Sequence, residues 1–279
     1  MSYVDLHVHS TASDGTLTPE AVVHLAFEAG LLAIALTDHD TTAGIRQAQA
    51  AGEELGVEVV PGIEVSSSFK GHEIHILGLF VQPDCPSLRA ALEEFRLHRD
   101  RRNEEMIRRL GADGIILTRE ELCAGHPDAV ITRAHVARAL LDQGLGSSMD
   151  QIFRKYLKYG GPYCPPKEYL SPEAVMKALL DSQAFVALAH PFQYDLGDKG
   201  VEELISYLSD LGMKGLEVYH SSHNRLDSAK LQELAAKYRL LPTGGSDFHG
   251  SNKPDIAIGR GRGGLRVSSL LLEAIKNTL

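Results

Sequence analysis

Six short apolar runs, LLAIALTDHD, VEVVPGIEVS, HEIHILGLF, AFVALAHP, GLEVYH and LLPTGGSDFHG, recur along this chain, and helical periodicity fills most of the gaps between them. Few folds accommodate that rhythm. Apolar runs without alternation suit strands buried on both faces, and strands that alternate with helices pair in parallel because the chain must cross back over the sheet. Counting the first strand in MSYVDLHVHS, seven or so such units predict a closed or nearly closed α/β barrel with a parallel sheet. Helices are expected at 18–29, 42–55, 171–182, 201–211 and 228–238. Thr18-Pro19-Glu20 and Ser171-Pro172-Glu173 each place a capping hydroxyl before proline at the first helical position.

The rhythm breaks between residues 85 and 170, which are polar, mostly helical in pattern and punctuated by Gly and Pro. Residues 85–170 read as a helical insert covering the active site, and 1–84 with 171–279 as the barrel. The insert holds 14 of the 28 Lys and Arg residues but only 12 of the 37 Asp and Glu residues. The barrel is therefore acidic, and a chain of net charge −9 repels polyanions unless cations gather locally. GRGRGG at 259–264 reads as a loop before a last helix. With 43% hydrophobic against 23% charged residues, 279 residues suffice for a full core and exclude disorder. LLAIAL at 31–36 falls far short of the roughly 20 apolar residues of a membrane span. MSYVDLHVHS has no export signal, and Cys85, Cys123 and Cys164 fit neither a disulfide scaffold nor a paired-cysteine metal site, which points to the cytoplasm.

The polar residues that close the strands carry the chemistry. His7 and His9 in DLHVHS are spaced i, i+2, so both imidazoles leave one face of the first strand. Asp247 and His249 in GGSDFHG are expected to do the same on the last strand. Between these pairs, His39 in TDHD, Glu64 in GIEVS, His75 in HEIHILGL and His190 in ALAHP each fall as an apolar run ends, and Asp14 offers an oxygen just after the first strand. The carboxyl ends of barrel strands converge on one face, so these residues are predicted to form a single cluster. His24, His72, His98 and His126 lack such placement and read as ordinary histidines. Imidazole and carboxylate without thiolate suit Mn, Zn or Fe, and so many donors exceed one tetrahedral site, so two to three divalent ions are expected. Glu64 is the best bridge between them. Asp5, Asp38 and Asp40 flank the histidines and are expected to orient imidazole N–H groups, with Asp40 the best placed to move a proton.

In order and separation, DLHVHS, SDG, TDHD, GIEVS, HEIHILG, AHP, GLEV and GSDFHG resemble the motifs of the PHP (polymerase and histidinol phosphatase) family of metal-dependent phosphoesterases, over residues 5–250. The resemblance implies a distorted (β/α)7 barrel and three metal sites: His7, His9, Glu64 and Asp247; Glu64, His75 and His190; and Asp14, His39 and His249. The histidinol phosphatase branch typically has histidine where Asp14 stands, and the aspartate makes the third site harder and more anionic. Water activated at this cluster would hydrolyse a phosphate ester, with Asp14, His39, Asp40, Glu64 and His249 as the catalytic residues. No G-x-S-x-G elbow or Gly-rich phosphate loop suggests another route.

Within the family, TRAHVAR at 132–138, FRKYL at 153–157 and SSHN at 221–224 are similar to segments of bacterial nucleoside 3′,5′-bisphosphate phosphatases and of the related enzymes that trim RNA from its 5′ end. Phosphate calls for Arg or Lys, and an acidic barrel has to import them. Arg133, His135 and Lys155 of the insert, with His223, are the expected substrate-binding residues. Arg99, Arg101, Arg102, Arg108 and Arg109 read as the solvated face of an Arg/Glu-rich helix. The expected partner is a nucleotide bisphosphate or a short 5′-phosphorylated RNA, and neither a DNA duplex nor a membrane. With 6% aromatic residues and no Trp, an extended stacking platform for single strands is not expected. A histidinol-phosphate phosphatase, or another small-molecule phosphomonoesterase, would share the metals. An amidohydrolase would have Lys at the place of Glu64, and a non-catalytic metal-binding PHP domain would have an eroded ligand set.

Overall fold

The computed structural model describes residues 2–123, 130–158 and 160–279, so His126 lies outside the described residues, as does the side chain of Cys123. Eight strands among them form one sheet: β1 (Tyr3–Val8), β2 (Ala33–Leu36), β3 (Glu58–Phe69), β4 (His72–Leu79), β5 (Phe185–Leu188), β6 (Gly215–His220), β7 (Leu241–Gly245) and β8 (Val267–Ser268). Their order is β7-β6-β5-β4-β3-β2-β1-β8, and Val8 bridges Phe248 just past β7, so the sheet curls into a nearly closed barrel. AIAL in β2 and FVAL in β5 are buried on both faces, as unalternating apolar runs predict. Leu6, Ile34, Ile76, Leu77 and Phe185 are fully buried, each contributing about 1.5–3 kcal/mol relative to exposure.

Ten helices among the described residues follow in chain order: α1 (Pro19–Glu28), α2 (Ile45–Leu55), α3 (Pro86–Ala112), α4 (Arg119–Cys123), α5 (Arg133–Asp142), α6 (Met149–Lys155), α7 (Pro172–Asp181), α8 (Gly197–Asp210), α9 (Arg225–Lys237) and α10 (Ser269–Lys276). The hydroxyls of Thr18 and Ser171 accept the N–H groups of Ala21 and Ala174, each ahead of a proline, as read from the sequence. α9 starts at Arg225, earlier than its periodicity suggests, because Asn224 and Asp227 form a reciprocal capping box. No helix of the described residues is long and apolar enough to cross a membrane.

The sheet is not wholly parallel. β4 runs antiparallel to both β3 and β5, and β8 runs antiparallel to β1. No helix separates VEVVPGIEVS from HEIHILGL. Lys70 and Gly71, at φ 50° and 83°, instead make the tight turn that joins β3 and β4 as a hairpin. Leu79, the last residue of β4, consequently pairs with Phe185, the first of β5. The chain thus leaves β4 at the barrel end opposite the one where the parallel strands finish.

α3 belongs to both parts of the molecule. Its Leu88 and Phe95 pack with Ile76, Leu179 and Val186 of the barrel, while its Met106 and Leu110 join a separate cluster with Val136, Leu140, Ile152 and Leu157.

Candidate metal centre

The nine expected donors form one cluster, with Glu64 at its centre. Its Oε2 lies 3.4 Å from His7 Nε2, 3.3 Å from His9 Nε2 and 3.1 Å from His39 Nδ1, and its Oε1 lies 2.9 Å from both His75 Nδ1 and His190 Nε2. One carboxylate therefore faces two groups of imidazoles, the geometry a bridging ligand requires. Asp247 Oδ1 stands 3.7, 3.4 and 3.3 Å from His7, His9 and His249. Asp14 reaches His249 Nε2 at 3.2 Å, and His9 and His39 at 3.9 Å. His9 thus joins the Asp14 group as well as the His7 group.

The local folding explains this convergence and corrects part of the sequence reading. His7 is the penultimate residue of β1 and His9 lies just past its end, their Nε2 atoms 3.1 Å apart. Gly245 makes room for them, since a Cβ there would lie 2.3 Å from that of His7. Asp247 and His249 are not on a strand. β7 stops at Gly245, and Asp247 takes φ 58° in the turn beyond. Glu64 is in the middle of β3, and His75 in the first half of β4, rather than at strand ends. Because β4 is reversed, its first half is the part that reaches the rim where the parallel strands finish, and His75 pairs there with Ser66.

Burial without hydrogen bonding is the sign that this cluster fits cations. His9 Nδ1, His39 Nδ1, Glu64 Oε2 and His190 Nδ1 are buried and have no hydrogen-bond partner, a state that costs about 1–3 kcal/mol per group when nothing replaces water. Unpaired nitrogen and oxygen donors aimed at one another suit divalent ions of the Mn, Zn and Fe type. Burial disfavours charge on Glu64, but His75, His39 and His7 hold its pKa well below the ordinary range, and Lys253 and His249 do the same for buried Asp247. Both carboxylates stay anionic.

His39 and His75 are the most exposed imidazoles of the cluster, at 12% and 20% of their side chains. They open into a cleft of about 150 Å³ also lined by Asp14, Arg99, Arg102, Arg133 and Lys167, which adjoins a larger cleft of about 590 Å³ through Glu73, His75, Arg133 and Lys167. Arg99 and Arg102, expected on a solvated face, are buried. Arg99 Nε donates to Asp40 Oδ2 at 2.8 Å, its Nη2 donates to the same oxygen and to Ser66, and Asp40 Oδ1 accepts the Ser66 N–H. Burial opposes ionisation of Asp40, yet Arg99 and Lys167 outweigh it and lower its pKa. With both oxygens engaged, Asp40 anchors Arg99 instead of moving a proton, which corrects the expected role. Arg102 donates to Pro165 O and Cys164 Sγ and has no carboxylate partner among the described residues.

Of the expected substrate residues, Arg133 lines both clefts, donating to Leu157 O. The other three do not line them. His135 Nδ1 accepts the Thr132 N–H in the capping box of α5, Lys155 is exposed beside the Tyr156 ring, and His223 lines a separate cleft with its Nδ1–H donated to Val218 O. Lys167, from the segment PPKEY, stands in their place. Burial and the charge of Arg99 push Lys167 down to about 8 despite Glu73 and Asp40. Inhibition by inorganic sulfate is therefore expected to weaken as pH rises through that value and Lys167 loses its proton. Lys167→Arg is expected to hold the inhibition constant level to about pH 9, because guanidinium does not titrate there. Matching pH curves for the two proteins would remove Lys167 from anion recognition.

The sequence model of the PHP domain matches residues 5–164. The chain belongs to the PHP domain family. It is 37% identical to the 3′,5′-nucleoside bisphosphate phosphatase of Chromobacterium violaceum, over 89% of this chain and 88% of that protein. It is 34% identical to the 5′-3′ exoribonuclease Rnm of Escherichia coli, over 92% and 88% of the two chains. To the phosphoribosyl 1,2-cyclic phosphate 1,2-diphosphodiesterase of Eggerthella lenta it is 38% identical, over 88% and 94%. A solved structure described as a metal-dependent phosphoesterase from Bifidobacterium adolescentis superposes with a TM-score of 0.87 at 29% identity, covering 98% of this chain and 95% of that one. The protein is accordingly a PHP-type metal-dependent phosphoesterase.

Two residues of this PHP centre, Glu217 and Lys253, have no role in the sequence reading. Glu217, fully buried in β6, accepts the His7 Nδ1–H at 3.0 Å and the His190 backbone N–H at 2.7 Å, which leaves His7 Nε2 bare toward the cluster. The GLEV motif carried it, without any sign of what it would touch. Lys253 Nζ lies 2.5 Å from Asp247 Oδ2, and nothing in HGSNK announces that contact. Asp5 and Asp38 do not orient imidazoles as expected. Asp5 accepts the N–H groups of Ser246 and Gly259, and Asp38 binds Ser10 and Ser13, so both hold the PHP motif loops together.

Proposed function

We propose that this phosphoesterase removes a phosphate from nucleoside 3′,5′-bisphosphates. Two to three divalent ions, Mn, Zn or Fe, would be held by His7, His9, Glu64 and Asp247, by Glu64, His75 and His190, and by Asp14, His39 and His249 with His9. Such ions would supply Lewis acidity toward the phosphoryl group and toward water. The observation that carries the reading is the small cleft in which Asp14, His39 and His75 share walls with Arg99, Arg102, Arg133 and Lys167.

In this reading one phosphate meets the histidine and carboxylate cluster and the other is gripped by Arg102, Arg133 and Lys167. Arg guanidinium offers paired donors to phosphate oxygens, and Lys adds a point charge. Arg99, committed to Asp40, keeps the TDHD loop in place. Glu217 fixes the His7 tautomer with Nε2 facing inward. The larger cleft, with Tyr169 and Tyr194 in its walls, leaves room for a nucleoside. Residues 85–170 act as the insert that roofs this face, on a barrel made of 1–84 and 171–279. The bisphosphate named for the Chromobacterium violaceum relative supports the choice of substrate.

The test is phosphate release from adenosine 3′,5′-bisphosphate with Mn²⁺, beside AMP and histidinol phosphate, each repeated in chelator. The bisphosphate is expected to lead by about tenfold or more in kcat/KM, the worth of one charge-assisted contact, and chelator is expected to abolish turnover. Preference for histidinol phosphate would overturn the substrate. Silence on all three would leave a metal-binding domain without this activity.

A further inference from the structure

β6 falls out of step with β7 close to the metal centre. Glu217 pairs with Thr243 but Tyr219 with Gly244, so two residues of β6 advance against one of β7, and Val218 is left over as a bulge. Strict alternation would send Glu217 and His220, three residues apart, to opposite faces of the sheet. The extra residue brings them to the same one, where side-chain atoms of His7, Glu217 and His220 lie within 4.8 Å of one another. The loop that follows ties the bulge down, since Val218 O accepts from His223 Nδ1–H at 3.0 Å and from the Ser228 hydroxyl at 3.2 Å.

The two histidines of this group carry their hydrogens on opposite nitrogens. His7 spends its Nδ1–H on Glu217 and turns a bare Nε2 to the cluster. In His220 it is Nδ1 that accepts, from the Ser222 backbone N–H at 3.0 Å and from Ser222 Oγ at 2.7 Å. Ser222 Oγ in turn accepts from Gln193 at 3.1 Å, which leaves its own hydrogen for the ring. The neutral His220 ring therefore bears its hydrogen on Nε2. That nitrogen is buried without a hydrogen-bond partner among the described residues, and Asp247 Oδ2 stands 3.4 Å from it. An N–H cannot ligate a cation, so the His7, Glu217 and His220 group is held by hydrogens and not built for a further ion. Asp247, meanwhile, is divided: Oδ1 faces His7, His9 and His249, and Oδ2 faces Lys253 Nζ and His220.

We propose that His220 is a positioning residue of the metal centre: its Nε2–H, together with the Lys253 ammonium, engages Asp247 Oδ2, so that Asp247 offers Oδ1 alone to the ion it shares with His7 and His9. The proposal rests on the assignment of Asp247 as a ligand made above, and adds what sets the way it binds. An unrestrained carboxylate can close on a cation with both oxygens, a mode that Ca²⁺ readily accepts. Two donors on one oxygen hold the carboxylate to the other. The centre thereby favours ions suited to imidazole and a single carboxylate oxygen, such as Mn²⁺, over Ca²⁺. The bulge in β6 is what makes this possible, because a regular strand would turn His220 away from Asp247.

The test measures Mn²⁺ and Ca²⁺ affinity by competition with a chromogenic chelator, beside the metal-free melting temperature, in the wild type, His220→Leu, His220→Gln and Asp247→Asn. Glutamine can place an amide N–H where Nε2–H stands, whereas leucine fills the space without a donor. Mn²⁺ affinity is expected to fall about 10- to 100-fold in His220→Leu, and the preference for Mn²⁺ over Ca²⁺ to narrow by about tenfold, with the metal-free melting temperature little changed. His220→Gln should keep both affinity and preference within about threefold of the wild type. Leucine and glutamine variants that both bind like the wild type would overturn the positioning role. Equal losses in the two, or one ion fewer per chain in each, would overturn it in favour of a ligand. Unchanged Mn²⁺ affinity in Asp247→Asn would remove Asp247 from the ligand set and the proposal with it, a result distinct from failure at His220 alone. Should His220→Leu not fold, His220→Asn takes its place, since its shorter amide stops short of Asp247.

Discussion

Glu64→Gln is expected to lower kcat/KM on the order of 10³-fold or more, and to strip bound metal, as measured by elemental analysis of the dialysed protein. The substitution keeps the shape of the side chain and removes the one charge that faces five imidazoles, His7, His9 and His39 from Oε2 and His75 and His190 from Oε1. A neutral amide has one acceptor oxygen and cannot serve cations on both sides. A separate readout guards against misfolding. Added Mn²⁺ is expected to raise the melting temperature of the wild type, because a ligand bound only by the native state stabilises it by about 2.7 kcal/mol at a hundred times its Kd. In the variant that rise should vanish while the metal-free melting temperature stays close to that of the wild type. Near-normal metal content in Glu64→Gln would sink the bridging role.

Arg99→Ala should produce the largest loss of stability. It leaves Asp40 buried with its partner removed, a change that costs about 3–5 kcal/mol and corresponds to a fall in melting temperature on the order of 10 °C. The pKa of Asp40 in the folded protein lies below its ordinary value. The pair's contribution is therefore complete above the ordinary carboxylate range and is lost as pH falls through the lowered value. The double variant Asp40→Asn, Arg99→Met should recover most of the loss, since it removes both charges together. A shift of only about 2 °C in Arg99→Ala would mean that water screens the pair.

The donor set was legible because side-chain type and position agreed: His7 and His9 form the i, i+2 pair at the end of β1, and His39, Glu64, His75 and His190 stand where apolar runs end. Glu64 reached the same rim from the middle of β3 and His75 by a different path, the reversed β4, whose hairpin with β3 follows from the missing helix and the Lys70-Gly71 turn. Arg99 and Arg102 left a signal too. They fall in register with Leu88, Phe95, Met106 and Leu110, the buried stripe of α3, but charge alone suggested solvent. Lys167, Lys253 and Glu217 owe their roles to contacts across long sequence separations that no local pattern encodes. His135 shows the converse, a residue of suggestive type whose ring is spent on capping its own helix.

The reversal of β4 has a mechanical consequence for the insert. The chain leaves the barrel at its foot, and α3, 27 residues and roughly 40 Å long at the usual rise, is a mast that climbs the wall to deliver its arginines at the top. Leu88 and Phe95 set its rotation below, and Arg99 and Arg102 inherit that setting above. One residue added or removed between Phe95 and Arg99 would swing both guanidiniums about 100° around the mast, away from Asp40 and the cleft. The stretch joining foot to top is therefore expected to tolerate changes of composition but not of length.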